Sequence, residues 1–213
     1  MYTPAAFRDH ETSRLHEQMN QTRLAILVTW NEGGLQASHL PLLLREDQGP
    51  KGTLYGHLAR ANPQWRQLET CAEALVIFPG EDAYVSPSYY PSKAEHGQVV
   101  PTWNYLAVHA YGKAETFTDP SRLRQLLDEL TARHESGRAH PWSIDDAPAE
   151  YIAKMLGAIV GFALPVQRLE GKRKLSQNRS ATDMAGVRDG LAASPNINEQ
   201  HIARLMSSLE IVS

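Results

Sequence analysis

Residues 83–112 read AYVSPSYYPSKAEHGQVVPTWNYLAVHAYG, and the architecture turns on how they fold. Two extended runs, Ala83–Ser86 and Val99–Tyr111, flank a crossing rich in Pro, Ser and Gly that cannot be helical throughout. In the second run Trp103, Tyr105, Ala107, His109 and Tyr111 alternate with Thr102, Asn104, Leu106, Val108 and Ala110. A period of two is a strand signal, and both faces are bulky, so neither is simply wetted. One face is aliphatic enough for a barrel interior. The other is aromatic with polar tips, as where a strand meets a flat ligand or a second subunit. A strand held between a core and a covering helix fits the same alternation, and these residues alone leave both open.

Upstream, Glu11–Gln21 predicts a short amphipathic helix. Leu24–Trp30 predicts a buried strand, closed by the turn sequence Asn31–Gly34 and returned by Leu35–Leu44. Pro41 implies an edge or a bulge in that return strand. A further strand, Thr53–His57, leads into Arg60-Ala-Asn62-Pro63, where Asn62 is an N-cap candidate and Pro63 the first helical residue. Free N–H groups at that helix start, beside Arg60 and His57, could cradle a phosphate; an ordinary capped helix with a surface arginine accounts for the same residues. Ala74–Pro79 reads as a strand, Gly80–Asp82 as a turn and Ala83–Ser86 as another strand.

Downstream, Lys113–Phe117 continues the meander, and Asp119-Pro120 opens a helix carrying Leu123, Leu126, Leu127 and Leu130 on one face. A short helix over Pro148–Leu156 and a strand over Ile159–Leu169 follow. The remaining residues predict a basic segment from Glu170 to Arg179 and two helices, the first weakened by Gly186 and Gly190. Many antiparallel strands with helices inserted late imply a mainly β chain, a barrel with helical additions. The domain division expected is 1–170 for the barrel and 171–213 for the basic segment and helical extension.

The chain has 213 residues, 42% of them hydrophobic and 21% charged, enough to bury a sizeable core. A net charge of -3 provides no global attraction for polyanions, so nucleic-acid binding would need a local patch. Cys71 is the only cysteine, which excludes an intrachain disulfide and fits a reducing cytoplasmic setting. The N-terminal MYTPAAFRDH lacks the pattern of a signal peptide, and no apolar run is long enough to span a membrane. No nucleotide-binding, nucleophile-elbow or zinc-protease motif occurs, and no two histidines are three or four residues apart, so no metal site is expected. The one dense cationic cluster is Lys172, Arg173, Lys174 and Arg179, interleaved with Ser176, Gln177 and Asn178. Its short polar donors suit an oxyanion or a heteroaromatic edge, and DNA phosphates could use them too. No helix-turn-helix is recognisable.

Taken together, MYTPAAF, SHLPLLL (38–44), GHLARANPQW (56–65), AYVSPSYY (83–90), VPTWNY with His109 and Tyr111-Gly112, IVGF (159–162) and EGKRKLSQNR (170–179) resemble the PaiB-like family of FMN-binding negative transcriptional regulators. That family belongs to the FMN-binding split β-barrels, relatives of pyridoxamine-phosphate oxidases and flavin reductases. The resemblance implies a homodimer with two FMN molecules at the interface, each touched by both subunits. It places the phosphate near His57–Asn62, with Arg60 as the charged contact and Ser38 and His39 approaching from the adjacent strand. Trp103 and Tyr105, with Asn104 beside them, would wall the flavin ring, and Lys174, Ser176 and Gln177 from the partner chain would face its polar edge. The expected function is an FMN-binding transcriptional regulator, with possible DNA contact through Lys172, Arg173, Lys174 and Arg179. The alternatives are a flavin-dependent oxidoreductase using NAD(P)H, with His39, His109 and Tyr105 as candidate acid–base groups, and a haem-binding or haem-degrading protein.

Overall fold

The computed structural model describes residues 1–209. It divides into two compact units, one formed by Thr12–Phe78 and His109–Leu169 and the other by the remaining segments. The strands β6 (Ala74–Val85) and β7 (Thr102–Gly112) each contribute residues to both units.

The unit containing Thr12–Phe78 opens with α1 (Thr12–Gln21), which buries Leu15 and Met19. The hairpin β2 (Ala25–Asn31) and β3 (Gly34–Leu40) turns through two residues, with Asn31 paired to Gly34. The Asn31 side-chain oxygen accepts from the Gly33 N–H at 2.9 Å, and Gly34 takes φ +104, which only glycine adopts without cost. The start of β6 pairs with β2 through Ile26↔Ile77 and Val28↔Leu75.

At Pro41 the return run breaks, and Leu43–Arg45 becomes β4 at the edge of a second sheet. That sheet is ordered β4-β5-β9-β8, with β5 at Thr53–Ala59, β8 at Glu115–Phe117 and β9 at Ile159–Pro165. One face carries Leu43, Tyr55, Ala163 and Phe117 and packs on α4 (Pro120–Glu135) and α5 (Ala149–Gly157). The expected Asp119 cap is present, its carboxylate accepting from the Arg122 N–H at 2.9 Å.

The other unit contains β1 (Arg8–Asp9), the part of β10 (Arg168–Lys174) from Glu170 onward that pairs with it, α6 (Ala181–Ala192) and α7 (Ile197–Leu209). Its core joins Ala83, Val85 and Leu106 to Val187, Leu191, Ile202 and Met206. Along β7, Asn104, Leu106, Val108, Ala110 and Gly112 are buried, while Trp103 through Tyr111 on the other side remain partly open. The aliphatic face is therefore the inner one.

Two expectations change. Gly80–Asp82 is no turn but lies inside the 12-residue β6. Burial falls on Ala74, Val76 and Phe78 and then on Ala83 and Val85, so the strand changes its buried face near Pro79 and Gly80 instead of reversing. The strand expected to reach Leu169 ends at Pro165, and Arg168–Lys174 forms a new strand across the end of the expected one and the start of the basic segment. Its residues carry no apolar alternation that would mark a strand. Glu170 and Gly171, either side of the expected domain boundary, are neighbours in this strand.

Candidate functional site

The residues expected at the phosphate end lie where β5 hands over to α2 (Gln64–Thr70). Asn62 Oδ1 accepts from the Gln64 N–H at 3.0 Å, and Pro63 has helical dihedrals, so the predicted cap forms. The same oxygen accepts from Gln36 Nε2 at 3.0 Å, while Asn62 Nδ2 donates to Ser38 Oγ at 3.1 Å. That bond leaves the Ser38 hydroxyl its own proton to donate. His39 is the next residue on β3, and strand alternation turns it to the opposite, exposed side. Ser38 and Asn62 are thus brought together, and His39 is not on their face.

Arg60 is held differently. Its Nε donates to Gly157 O at 2.7 Å and its Nη2 to Ile159 O at 3.1 Å, fixing the end of α5 against β9. Carbonyls at a helix C-terminus are natural partners for a guanidinium. Two of five N–H donors are engaged this way. His57 has a buried Nδ1 with no hydrogen-bond partner, and burial pushes its pKa down, which keeps the ring neutral.

Gln64 was not anticipated. Its side chain is fully buried, and its amide nitrogen reaches Leu27 O, Thr29 Oγ1 and Gln36 O at 3.1–3.2 Å. This network ties the start of α2 to β2 and β3. The only trace in the sequence is a glutamine directly after the Asn-Pro cap.

The residues expected at the ring end belong to the other unit. Trp103 is 52% exposed and meets Tyr84 edge-on, the ring centroids 5.7 Å apart. Asn104 is on the reverse side of the strand, 0% exposed, and exchanges hydrogen bonds of 3.0 and 3.1 Å with the buried Ser176. Both groups are occupied with each other. Ser176 holds a left-handed φ of 67 to make that contact. Gln177 also turns to its own backbone, donating to Arg173 O at 2.6 Å and accepting from Leu175 N at 2.7 Å.

Lys174 donates to Thr102 Oγ1 at 2.6 Å and to Trp103 O. Burial lowers its pKa first, and Lys172 and Arg179 add like-charge repulsion. Lys172 lies 4.9 Å from the Tyr105 ring centroid and donates to Tyr2 O, while Arg173 pairs with Asp9 at 3.8 Å. Arg179 stacks over Tyr90 at 4.8 Å. The basic run is thus built into a strand and its aromatic neighbours, not held out in solvent.

These donors fit a flavin. The orphaned buried ring nitrogen at His57 lacks a partner, and Lys174, with two of its three N–H donors engaged, keeps one for an anion or an electron-rich edge. Residues 1–168 match the family described as "Putative FMN-binding domain". The chain belongs to this family. It is 34% identical over 206 residues to protease synthase and sporulation protein PAI 2 of Bacillus subtilis, covering 97% of this chain and 96% of the relative. Membership in the PaiB-like, FMN-binding group is therefore established, with FMN as the cofactor.

Among solved structures, the FAD and heme binding protein of Mycobacterium smegmatis aligns with TM-score 0.59 and 20% identity, over 84% of this chain and 78% of that one. The flavocytochrome Anf3 of Azotobacter vinelandii aligns with TM-score 0.54 and 19% identity, over 78% and 67%. These likenesses give the fold, an antiparallel split β-barrel with added helices: the strand pattern predicts the barrel and the family resemblance implies its split form. No helix among the described residues is long and apolar enough to cross a membrane.

Proposed function

We propose that this FMN-binding protein works as a homodimer, holds its flavin where the two subunits meet, and acts as a negative regulator of transcription. The observation that carries the proposal is Lys174, a half-buried ammonium with like-charged neighbours beside an exposed indole. An ammonium so placed attracts the electron-rich N1/O2 edge of a flavin and favours its reduced, anionic form. Trp103 and Tyr105 supply a wall for the ring. Ser38, Asn62, His57 and the free N–H groups of Arg60 supply donors for the phosphate, the two sets coming from different subunits.

The dimer has a second support. Ile26, Val28 and Trp30 on β2, Leu35, Ala37 and His39 on β3, and Leu75 and Ile77 on β6 share one sheet face. Trp30 is 63% exposed and Leu35, directly opposite it, 77% exposed. A sheet face whose residues are apolar but for His39 is suited to cover by a second copy.

The regulatory part rests on the relative from B. subtilis, whose name ties it to protease synthesis and sporulation. With Lys172 and Arg173 already partnered, Arg179 is the member of the basic cluster best placed to meet DNA phosphates.

Binding of FMN and riboflavin, followed by the quenching of flavin fluorescence, tests the site. Arg60→Ala should weaken FMN about tenfold or more and leave riboflavin nearly unchanged, since only FMN carries the phosphate. Lys174→Gln should weaken both. Equal losses for Arg60→Ala on the two ligands would move the phosphate elsewhere. DNA retardation that is insensitive to salt would remove the DNA contact. Anaerobic reduction of bound FMN by NADH or NADPH would favour an oxidoreductase instead.

A further inference from the structure

On the sheet face under α4, strands β4, β5 and β8 and the helix enclose a cleft of about 180 Å³. Two arginines reach it, each laid on an aromatic ring. Arg45 stacks over Tyr55 with 5.3 Å to the ring centroid, and Arg122 over Phe117 with 4.1 Å. Leu43 and Leu126 complete the apolar lining.

The polar groups that line the cleft are mostly donors. Arg45 forms one ion pair, Nη2 to Glu129 Oε1 at 2.5 Å, while its Nε is buried with no acceptor. Arg122 forms one ion pair, Nη1 to Glu115 at 2.8 Å. A guanidinium has five N–H donors, so most remain for a ligand. Tyr55 donates to Gln48 Oε1 at 2.6 Å, which turns the Gln48 carbonyl away and leaves its NH₂ as a further donor. Neither glutamate lines the cleft. A buried donor without an acceptor is costly, and a ligand oxygen would remove that cost.

Size narrows the ligand. An apolar cavity of about 150 Å³ takes a benzene ring, so a single ring with one small acidic group fits here and a tricyclic flavin does not. We propose that this cleft binds a small organic carboxylate, its apolar ring against Tyr55, Phe117 and Leu126 and its carboxylate on Arg45 and Arg122. The site shares no residue with the flavin reading, and its nearest approach to it is Tyr55, two residues before His57 on the same face of β5. In a regulator it would serve as the effector site.

Calorimetric titration of the full chain with benzoate tests this, with benzamide as the neutral isostere, in the absence and presence of FMN. Benzoate should bind saturably with one site per chain, and benzamide about tenfold or more weaker. FMN should leave benzoate binding unchanged. Arg122→Gln, a change at an exposed helix position, should weaken benzoate about tenfold, and Arg122→Lys should weaken it less. Arg45→Gln should act in the same direction; if that variant fails to fold, Arg122→Gln with a native circular dichroism spectrum decides. No saturable binding at ten-millimolar-order benzoate, equal affinity for benzamide, or competition by FMN would each overturn the proposal.

Discussion

A Cβ added at Gly161 would lie 2.4 Å from Phe117 Cε2, 2.5 Å from Phe117 Cζ and 2.9 Å from Leu123 Cδ2. All three atoms belong to the packed layer between β9 and α4, so none can step aside alone. Gly161→Ala should cost roughly 1–3 kcal/mol by overpacking, read as a lowered denaturant midpoint with unchanged slope. Lys174 gives a prediction of different origin. Its folded pKa is lowered below 10.5, so between that lowered value and 10.5 the unfolded chain holds a proton the folded chain lacks. Stability without flavin should therefore rise with pH through this alkaline window, and Lys174→Gln should flatten the rise. The same loss of charge should weaken FMN binding as pH rises. Thermal melts and FMN titrations from pH 7 upward check both. The sequence marks Lys174 as one of a basic cluster, and its like-charged neighbours Lys172 and Arg179 come from that same run; its burial is what depends on which strands meet.

Helix α6 shows how a local rule can mislead. Gly186 and Gly190 lower helix propensity and so predict a weak helix. A Cβ at Gly186 would meet Tyr89 O at 2.2 Å, and one at Gly190 would meet the Tyr89 ring at 2.4 Å. The glycines form the groove in which Tyr89 sits. Gly186→Ala, favourable by propensity, should lower the melting temperature instead, because the backbone of Tyr89 would have to move. The start of the same helix is held by Asp183, which accepts from Ser92 N at 3.1 Å and Ser92 Oγ at 2.8 Å. Burial pushes its pKa up, but the bonds from Ser92 and Ser180 outweigh this and lower it overall. A carboxylate with a lowered folded pKa stabilises above its unfolded value, and that contribution disappears as pH falls through the folded one. Acid should thus loosen α6 first, and Asp183→Asn should remove that part of the acid dependence, as followed by hydrogen exchange of α6 amides. At this scale the sequence was mostly readable: Asn62 and Asp119 cap helices through side-chain oxygens, as their positions predict, and Ser180 does the same for α6. Strand β10 was not readable, because Arg168–Lys174 has no alternating apolar residues and its pairing with β1 joins positions more than 160 apart.

For the whole molecule, the proposal of a dimer makes the outer face of β2, β3 and β6 the place to intervene. Leu35→Lys adds an exposed charge to an edge strand and disturbs no buried contact, so the monomer should fold as before. Light scattering should show a shift from dimer to monomer, with FMN retention falling in parallel. A monomeric wild type, or a dimer indifferent to Leu35→Lys and Trp30→Asp together, would refute this interface. The aromatic-and-aliphatic alternation of β7, the hairpin turn at Asn31–Gly34 and the caps are short-range patterns, each set by residues within a few positions of one another. They determined that the chain is a mainly antiparallel barrel with added helices, and the resemblance of its sequence blocks to a known family pointed to FMN. Only the tertiary structure decided that Asn104 and Ser176 face inward to each other, that His39 points away from Ser38, that Arg60 is fastened to α5, and that Arg45 and Arg122 converge on one cleft. Those outcomes depend on which distant strands and helices become neighbours, and neither spacing nor composition encodes that choice locally.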